Sequence, residues 1–287
     1  MKIIFGRIAV ILCLVLGWAL PAESQEGNDK LLQELFLKSG INQLTEQLPV
    51  IFQRGVDQGF AQDPNLKKLP RDVLQEIRDA AASAYASQEM RNIMLKFMAG
   101  RLSDAEVKSV IQWLDSPVGI KSTDLEKKSL APGWLEEMAR FAEEIQKRPS
   151  PDARLKLIGE LDRATQATAA SVELFINTNL AIATAVILSL PKETRRPLSE
   201  IRKELEADRA AIEKTIQEQT RVGMLCTYRT LSDGEIQEYI DFAKSPAGSK
   251  FNTVSIAAFQ QAMVEGGVDF GRAVANVYEN MGKKKAI

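Results

Sequence analysis

The chain carries one segment twice. Leu102-Ser103-Asp104-Ala105-Glu106 leads without a gap to Ser116-Pro117-Val118-Gly119-Ile120-Lys121, and Leu231-Ser232-Asp233-Gly234-Glu235 leads to Ser245-Pro246-Ala247-Gly248-Ser249-Lys250. The offset is 129 residues from the first position to the last. A repeat at a fixed offset constrains the fold before any single element is assigned. The expected architecture is all-α: two homologous multi-helix repeats of about five helices each, related by a pseudo-two-fold axis.

The repeated residues read as helix punctuation. Ser103 and Glu106 form a capping box: the hydroxyl accepts an orphan first-turn N–H, and the carboxylate reaches back to the Ser103 N–H. Asp104 adds negative charge at the positive end of the helix dipole. Leu102 and Val107 form a hydrophobic staple across the cap. Ser232, Glu235, Asp233, Leu231 and Ile236 repeat each role. Val107, Val110, Ile111 and Leu114 then lay down one apolar stripe, as do Ile236, Tyr239, Ile240 and Ala243. Trp113 and Phe242 broaden those faces. Ser116-Pro117 and Ser245-Pro246 restart a helix, with serine as cap and proline at the first helical position. Gly119 and Gly248 cost about 1 kcal/mol each inside a helix, so a helix crossing too close for a side chain is expected there. Lys121 and Lys250 have no such local reason. A Ser–Lys or Ser–Asp catalytic arrangement is the functional rival, but capping already accounts for the serines and carboxylates.

Around these motifs the organisation is read as follows. Residues 1–24 form a secretory signal peptide: Lys2 and Arg7 precede an apolar run from Ile8 to Leu20, and Pro21-Ala22-Glu23-Ser24 offers cleavage after Ala22 or Ser24. An uncleaved anchor is the alternative. Leu12 before Cys13 argues against a lipoprotein signal. The first helical repeat covers 25–147. Arg148-Pro149-Ser150-Pro151 is a Pro-rich linker at 148–151, and the second repeat covers 152–287. The openings correspond too, Leu31 to Leu35 with Leu157 to Leu161, at an offset of 126. In each repeat an apolar segment follows, Ile41 to Phe60 with Pro49 inside it and Ala169 to Leu190. Long helices are then entered through Leu69-Pro70 and Pro197-Leu198-Ser199. The apolar part of Leu174 to Leu190 falls short of the roughly twenty residues a bilayer span needs. No transmembrane span is expected in the mature chain, and that stretch reads as a buried core helix.

Several function classes recede on composition. None of the 287 residues is histidine, which removes the commonest general base, zinc ligand and pH switch. The net charge of −1 offers no basic field for nucleic acid. Removal of the signal leaves Cys226 without a disulfide partner. It aligns with Phe97, so it reads as a small buried hydrophobe rather than a reactive thiol. No Asp-rich loop has calcium spacing, and Gly266-Gly267 leads to no phosphate-loop pattern, so that pair is expected to ease packing or a kink. No cofactor, metal or catalytic residue is assigned.

The helix opening Leu-Ser-Asp-x-Glu, the aromatic at Trp113 or Phe242, and the Ser-Pro-x-Gly-x-Lys that follows resemble the domain of unknown function 2059 family. The likeness is strong over about twenty residues in each repeat and loose over the rest. The first repeat departs after its motif, with Ile120, Ser122 and Thr123 where the second has Ser249, Phe251 and Asn252. The resemblance implies an exported, helical bacterial protein and carries no catalytic residue over. The expectation is a non-catalytic binding or interaction protein of the cell envelope, in the periplasm, with an envelope protein or an apolar ligand as partner. The rival readings are a carrier of an apolar ligand, using a cavity beside the Leu174–Leu190 helix, and a hydrolase using Ser or carboxylate residues.

Overall fold

The computed structural model describes residues 22–62, 69–131, 133–189 and 197–285. Among them the chain is all-α and has no strand. The helices run α1 (Ala22–Lys38), α2 (Ile41–Gln62), α3 (Arg71–Ala84), α4 (Ser87–Met98), α5 (Asp104–Leu114), α6 (Pro117–Ser129) and α7 (Trp134–Lys147). After the non-helical Arg148–Pro151 come α8 (Asp152–Thr165), α9 (Ala167–Ser189), α10 (Leu198–Ala207), α11 (Arg209–Thr227), α12 (Asp233–Lys244) and α13 (Pro246–Lys285). The expected signal segment lies outside the described residues up to position 21, and residues 22–24 open α1.

Among the described residues the first half carries seven helices and the second six, against the five expected. The first half breaks between α6 and α7 where the second runs on as α13, and the long helices predicted after Leu69-Pro70 and Pro197 are each broken once. The first break falls at Tyr85-Ala86, where the Tyr85 N–H bonds the Ala81 carbonyl and the buried ring turns inward to stack on Phe52. The second falls at Asp208, which closes α10 and opens α11. Pro49, by contrast, is carried inside α2. The pair Gly266-Gly267 is likewise carried within α13, which runs on for 40 residues. A Cβ at Gly266 would lie 2.6 Å from the Tyr85 ring and 3.0 Å from the Ala84 carbonyl oxygen. The glycine lets α13 pass directly over the corner that ends α3.

The cores draw on both halves of the chain. One cluster takes Leu32, Leu35 and Phe36 from α1, Met90, Met94 and Met98 from α4, and Val107 and Val110 from α5. It is completed by Ala258, Ala262 and Met263 of α13. A second takes Ile158 and Leu161 from α8, Leu225 from α11, and Ile236 and Ile240 from α12. Against it pack Leu125 of α6 and Phe141 and Ile145 of α7. A third joins Val73 and Ile77 of α3 to Val277 of α13. The helices after each Ser-Pro corner therefore cross to cover helices of the other half.

The apolar helix α9 lies along α13 and α11. Val172 and Ile176 are buried while Phe175 is 45% exposed. Among the described residues, no helix is long and apolar enough to cross a membrane.

Candidate functional site

The twice-written motif builds the same local object in both places. The Ser103 N–H donates to Glu106 Oε2 at 2.8 Å, and the Glu106 N–H donates back to Ser103 Oγ at 3.4 Å. At the start of α12 the Ser232 N–H donates to Glu235 Oε2 at 2.6 Å, and the Glu235 N–H to Ser232 Oγ at 3.2 Å. Leu102 with Val107 and Leu231 with Ile236 are buried, so both staples are closed. The corner that follows is also shared. Gly119 N–H donates to Ser116 Oγ at 3.0 Å and Gly248 N–H to Ser245 Oγ at 3.1 Å, with Pro117 at the first helical position of α6 and Pro246 opening α13.

Gly119 and Gly248 are explained differently from the expectation. A Cβ at Gly119 would sit 2.0 Å from the Trp113 carbonyl oxygen, and one at Gly248 2.1 Å from that of Phe242. The crowding comes from the last turn of the preceding helix, folded back by the Ser-Pro corner, and not from a crossing helix.

Trp113 and Phe242 stack face to face, with centroids 4.6 Å apart and planes 8° from parallel. Offset stacking of this kind adds about 0.5–1.5 kcal/mol beyond the area it buries. On either side the two lysines reach across. Lys121 Nζ donates to both carboxylate oxygens of Glu235 at 2.8 and 2.9 Å, and Lys250 Nζ to both of Glu106 at 2.8 Å. Each lysine thus grips the capping glutamate of the opposite half. The ammonium of Lys250, then the N–H and hydroxyl of Ser103, lower the Glu106 carboxyl from 4.5 to about 2. Lys121 and the Ser232 N–H lower Glu235 to about 2 as well. Asp233 accepts from Arg154 Nη1 at 2.8 Å, and Asp104 opens α5 opposite it in sequence. The lysines were the residues local reasoning could not place, because their partners lie 114 and 144 residues away.

A polar set that the motif does not contain sits beside this seam. Tyr228 and Tyr239 both donate to Glu126 Oε1, at 2.7 and 3.0 Å. The two phenol rings meet edge to face at 6.0 Å, and Tyr239 leans on Trp113 at 5.8 Å. Burial pushes the Glu126 carboxyl up against the lowering effect of the two phenols. Burial and the Glu126 charge push both phenols well above their ordinary range. Positions 129 away hold Ser255, Ala99 and Val110, so the set is present once. No sequence signal marked it, since a glutamate and two tyrosines at those separations form no motif. Chemically it is a hydrogen-bonded clasp that ties α6 to α12 and to the end of α11; phenols held in the protonated form are poor bases and poor nucleophiles.

Cys226 is buried, as its alignment with Phe97 implied, and burial pushes its thiol up. Arg229 Nη1 lies 3.5 Å from the sulfur, but that guanidinium is held by Glu137 at 2.5 Å. Among the described residues, no group of three His, Cys, Asp or Glu side chains is placed to hold a metal ion. An open cleft of about 530 Å³ lies between α2, α9, α11 and α13, walled by Phe52, Leu174, Phe175, Ile216 and Met263. No protein-family model, curated protein or solved structure matches this chain.

Proposed function

We propose that this chain is a non-catalytic helical binding or interaction protein of the bacterial cell envelope, exported to the periplasm. In this reading it is built from two homologous repeats around a pseudo-two-fold axis passing between Trp113 and Phe242, and it belongs with the domain of unknown function 2059 family that its motifs resemble. The carrying observation is the reciprocal pairing of Lys121 with Glu235 and Lys250 with Glu106. Serine caps, glutamate closes the box and accepts the opposite lysine, and the aromatics stack on each other. The motif serines are engaged as caps within their own half, and its glutamates and lysines are engaged in joining the halves.

The test is purification of tagged full-length chain from cell envelopes, with mass spectrometry of bound protein and lipid and a hydrolase substrate panel on the same sample. A stoichiometric protein partner supports the reading. Turnover abolished by Ser103→Ala or Ser232→Ala without loss of thermal stability overturns it. Export is tested separately by N-terminal sequencing, which should begin near Glu23 or Gln25; a retained Met1 on soluble cytoplasmic protein refutes it.

The carrier reading has its own observation. Phe175 faces the open cleft beside α9 with nearly half its surface in water, together with Leu174 and Ile216. Exposed apolar surface at a cleft is a ligand-binding signature. Co-purified lipid lost on Phe175→Asp is the result expected of a carrier.

A further inference from the structure

A second cleft, of about 830 Å³, opens where the 148–151 segment passes between α7, α8 and the turn before α12. Its size falls in the range of small-molecule sites. The floor is apolar: Phe141 and Ile145 from α7, with the buried Leu225 and Leu231 beneath. The mouth is cationic. Arg154 is fixed there, its side chain only 13% exposed, by bonds to Asp233 Oδ1 and the Tyr228 carbonyl. Arg229 is fixed by Glu137. Lys147 and Arg148 also line the mouth, exposed and in no ion pair among the described residues. The acids lining the cleft are Glu144 and Asp233, and Asp233 is already taken by Arg154.

This chemistry is not a by-product of the repeated motif. The positions 129 before Leu225 and Arg229 hold Lys96 and Gly100, and the position 126 before Arg154 holds Asn28. Leu231 and Asp233 belong to the motif, but Leu225, Arg229 and Arg154 do not, and the first half carries neither that leucine nor those two guanidinium groups at the matching positions. Two spare cations over an apolar slot match a ligand with an anionic head and a hydrocarbon tail. Guanidinium and ammonium groups bind carboxylate and phosphate by charge-assisted hydrogen bonds, while the tail displaces water from the floor.

We propose that the cleft bounded by α7, residues 148–151 and α8 binds a single-chain amphiphile with an anionic head, the head at Lys147 and Arg148 and the tail along Phe141, Ile145 and Leu225. This deepens the binding-protein reading and rests on it. Carboxylate and phosphate heads share the required chemistry, and the experiment separates them.

The full-length chain is titrated with palmitate, with a lysophosphatidic acid of equal chain length and with hexadecanol, below their micelle concentrations, by calorimetry. Saturable binding of palmitate or lysophosphatidic acid is expected, and the tighter one names the head. Hexadecanol should bind roughly ten-fold more weakly or worse. The double variant Lys147→Glu/Arg148→Glu, whose side chains make no ion pair among the described residues, should melt within a few degrees of the parent, the reversed charge at the end of α7 costing little at an exposed position, and lose roughly ten-fold in affinity for the anions. Absence of saturation by either anion, equal binding of hexadecanol, or an unaffected double variant overturns the proposal. Failure here alongside a retained protein partner leaves the interaction reading standing. Palmitate binding that survives Lys147→Glu/Arg148→Glu but is lost in Phe175→Asp moves the ligand to the cleft beside α9.

Discussion

Glu106 and Glu235 each close a capping box and anchor a lysine from the other half with the same carboxylate. That double use sets a pH dependence. Both carboxyls titrate at about 2 in the folded chain against an ordinary 4.5. The unfolded chain takes up their protons first as pH falls, so their contribution is fully present above about pH 4.5 and is lost as pH approaches 2. Glu106→Gln/Glu235→Gln should lower the urea midpoint at pH 7 and flatten its fall between pH 4.5 and 2; a parent-like acid limb in the double variant would refute the assignment. Glu126 has the opposite sign. Its carboxyl is raised by burial, so the native state holds the proton more tightly and stability falls as pH rises past the ordinary carboxylate value. Glu126→Gln is therefore expected to be the more stable protein at pH 7 to 8, with the gap closing below about pH 4.5, read from thermal midpoints across that range. The caps were legible in the sequence because donor and acceptor lie three residues apart. The lysine bridges and the Glu126 clasp were not, because each joins residues more than a hundred positions apart.

The same division holds for the helices. α5 and α12 begin where Ser103 and Ser232 said they would, and α6 and α13 begin at their Ser-Pro corners. The breaks at Tyr85-Ala86 and Asp208 carried no proline or glycine to announce them. The first exists because α13 needs the Tyr85 ring beneath Gly266, a tertiary reason. Losing a cap through Ser103→Ala or Ser232→Ala should cost about 0.5–2 kcal/mol in either copy. Leu102→Ala and Leu231→Ala should cost about 2–5 kcal/mol, because both leucines are fully buried. Chemical denaturation of the four variants checks both the sizes and the matching between copies. Near-additivity across the two copies, the natural expectation for sites 129 residues apart, no longer holds for every pair. Lys121 and Ser232 share Glu235, so Lys121→Ala combined with Ser232→Ala should cost less than the sum of the singles.

At the scale of the whole molecule, the exchange of helices between halves decides how the chain can come apart. α13 is about 60 Å long at 1.5 Å per residue and supplies Ala258, Ala262 and Met263 to the core built by α1, α4 and α5. In return α6 and α7 supply Leu125, Phe141 and Ile145 to the core of α8, α11 and α12. Neither half keeps its apolar surface covered when the other is removed. Covalent continuity through Arg148–Pro151 is a different matter, because that segment contributes no residue to any of the three buried clusters. A protease site placed within 148–151 and cleaved in the folded protein should leave two fragments that co-elute in native buffer and melt in one cooperative transition. Separated in urea, each fragment alone should keep helical circular dichroism but bind a hydrophobic dye and lose its sharp melt, as expected of a helical chain without fixed packing. Mixing the two should restore the transition, with a midpoint that rises with concentration because association now supplies what the linker did. Fragments that part in native buffer, each monomeric and each unfolding cooperatively, would mean that the halves are self-sufficient domains. The stacked aromatics and crossed lysines would then join finished units rather than complete unfinished ones.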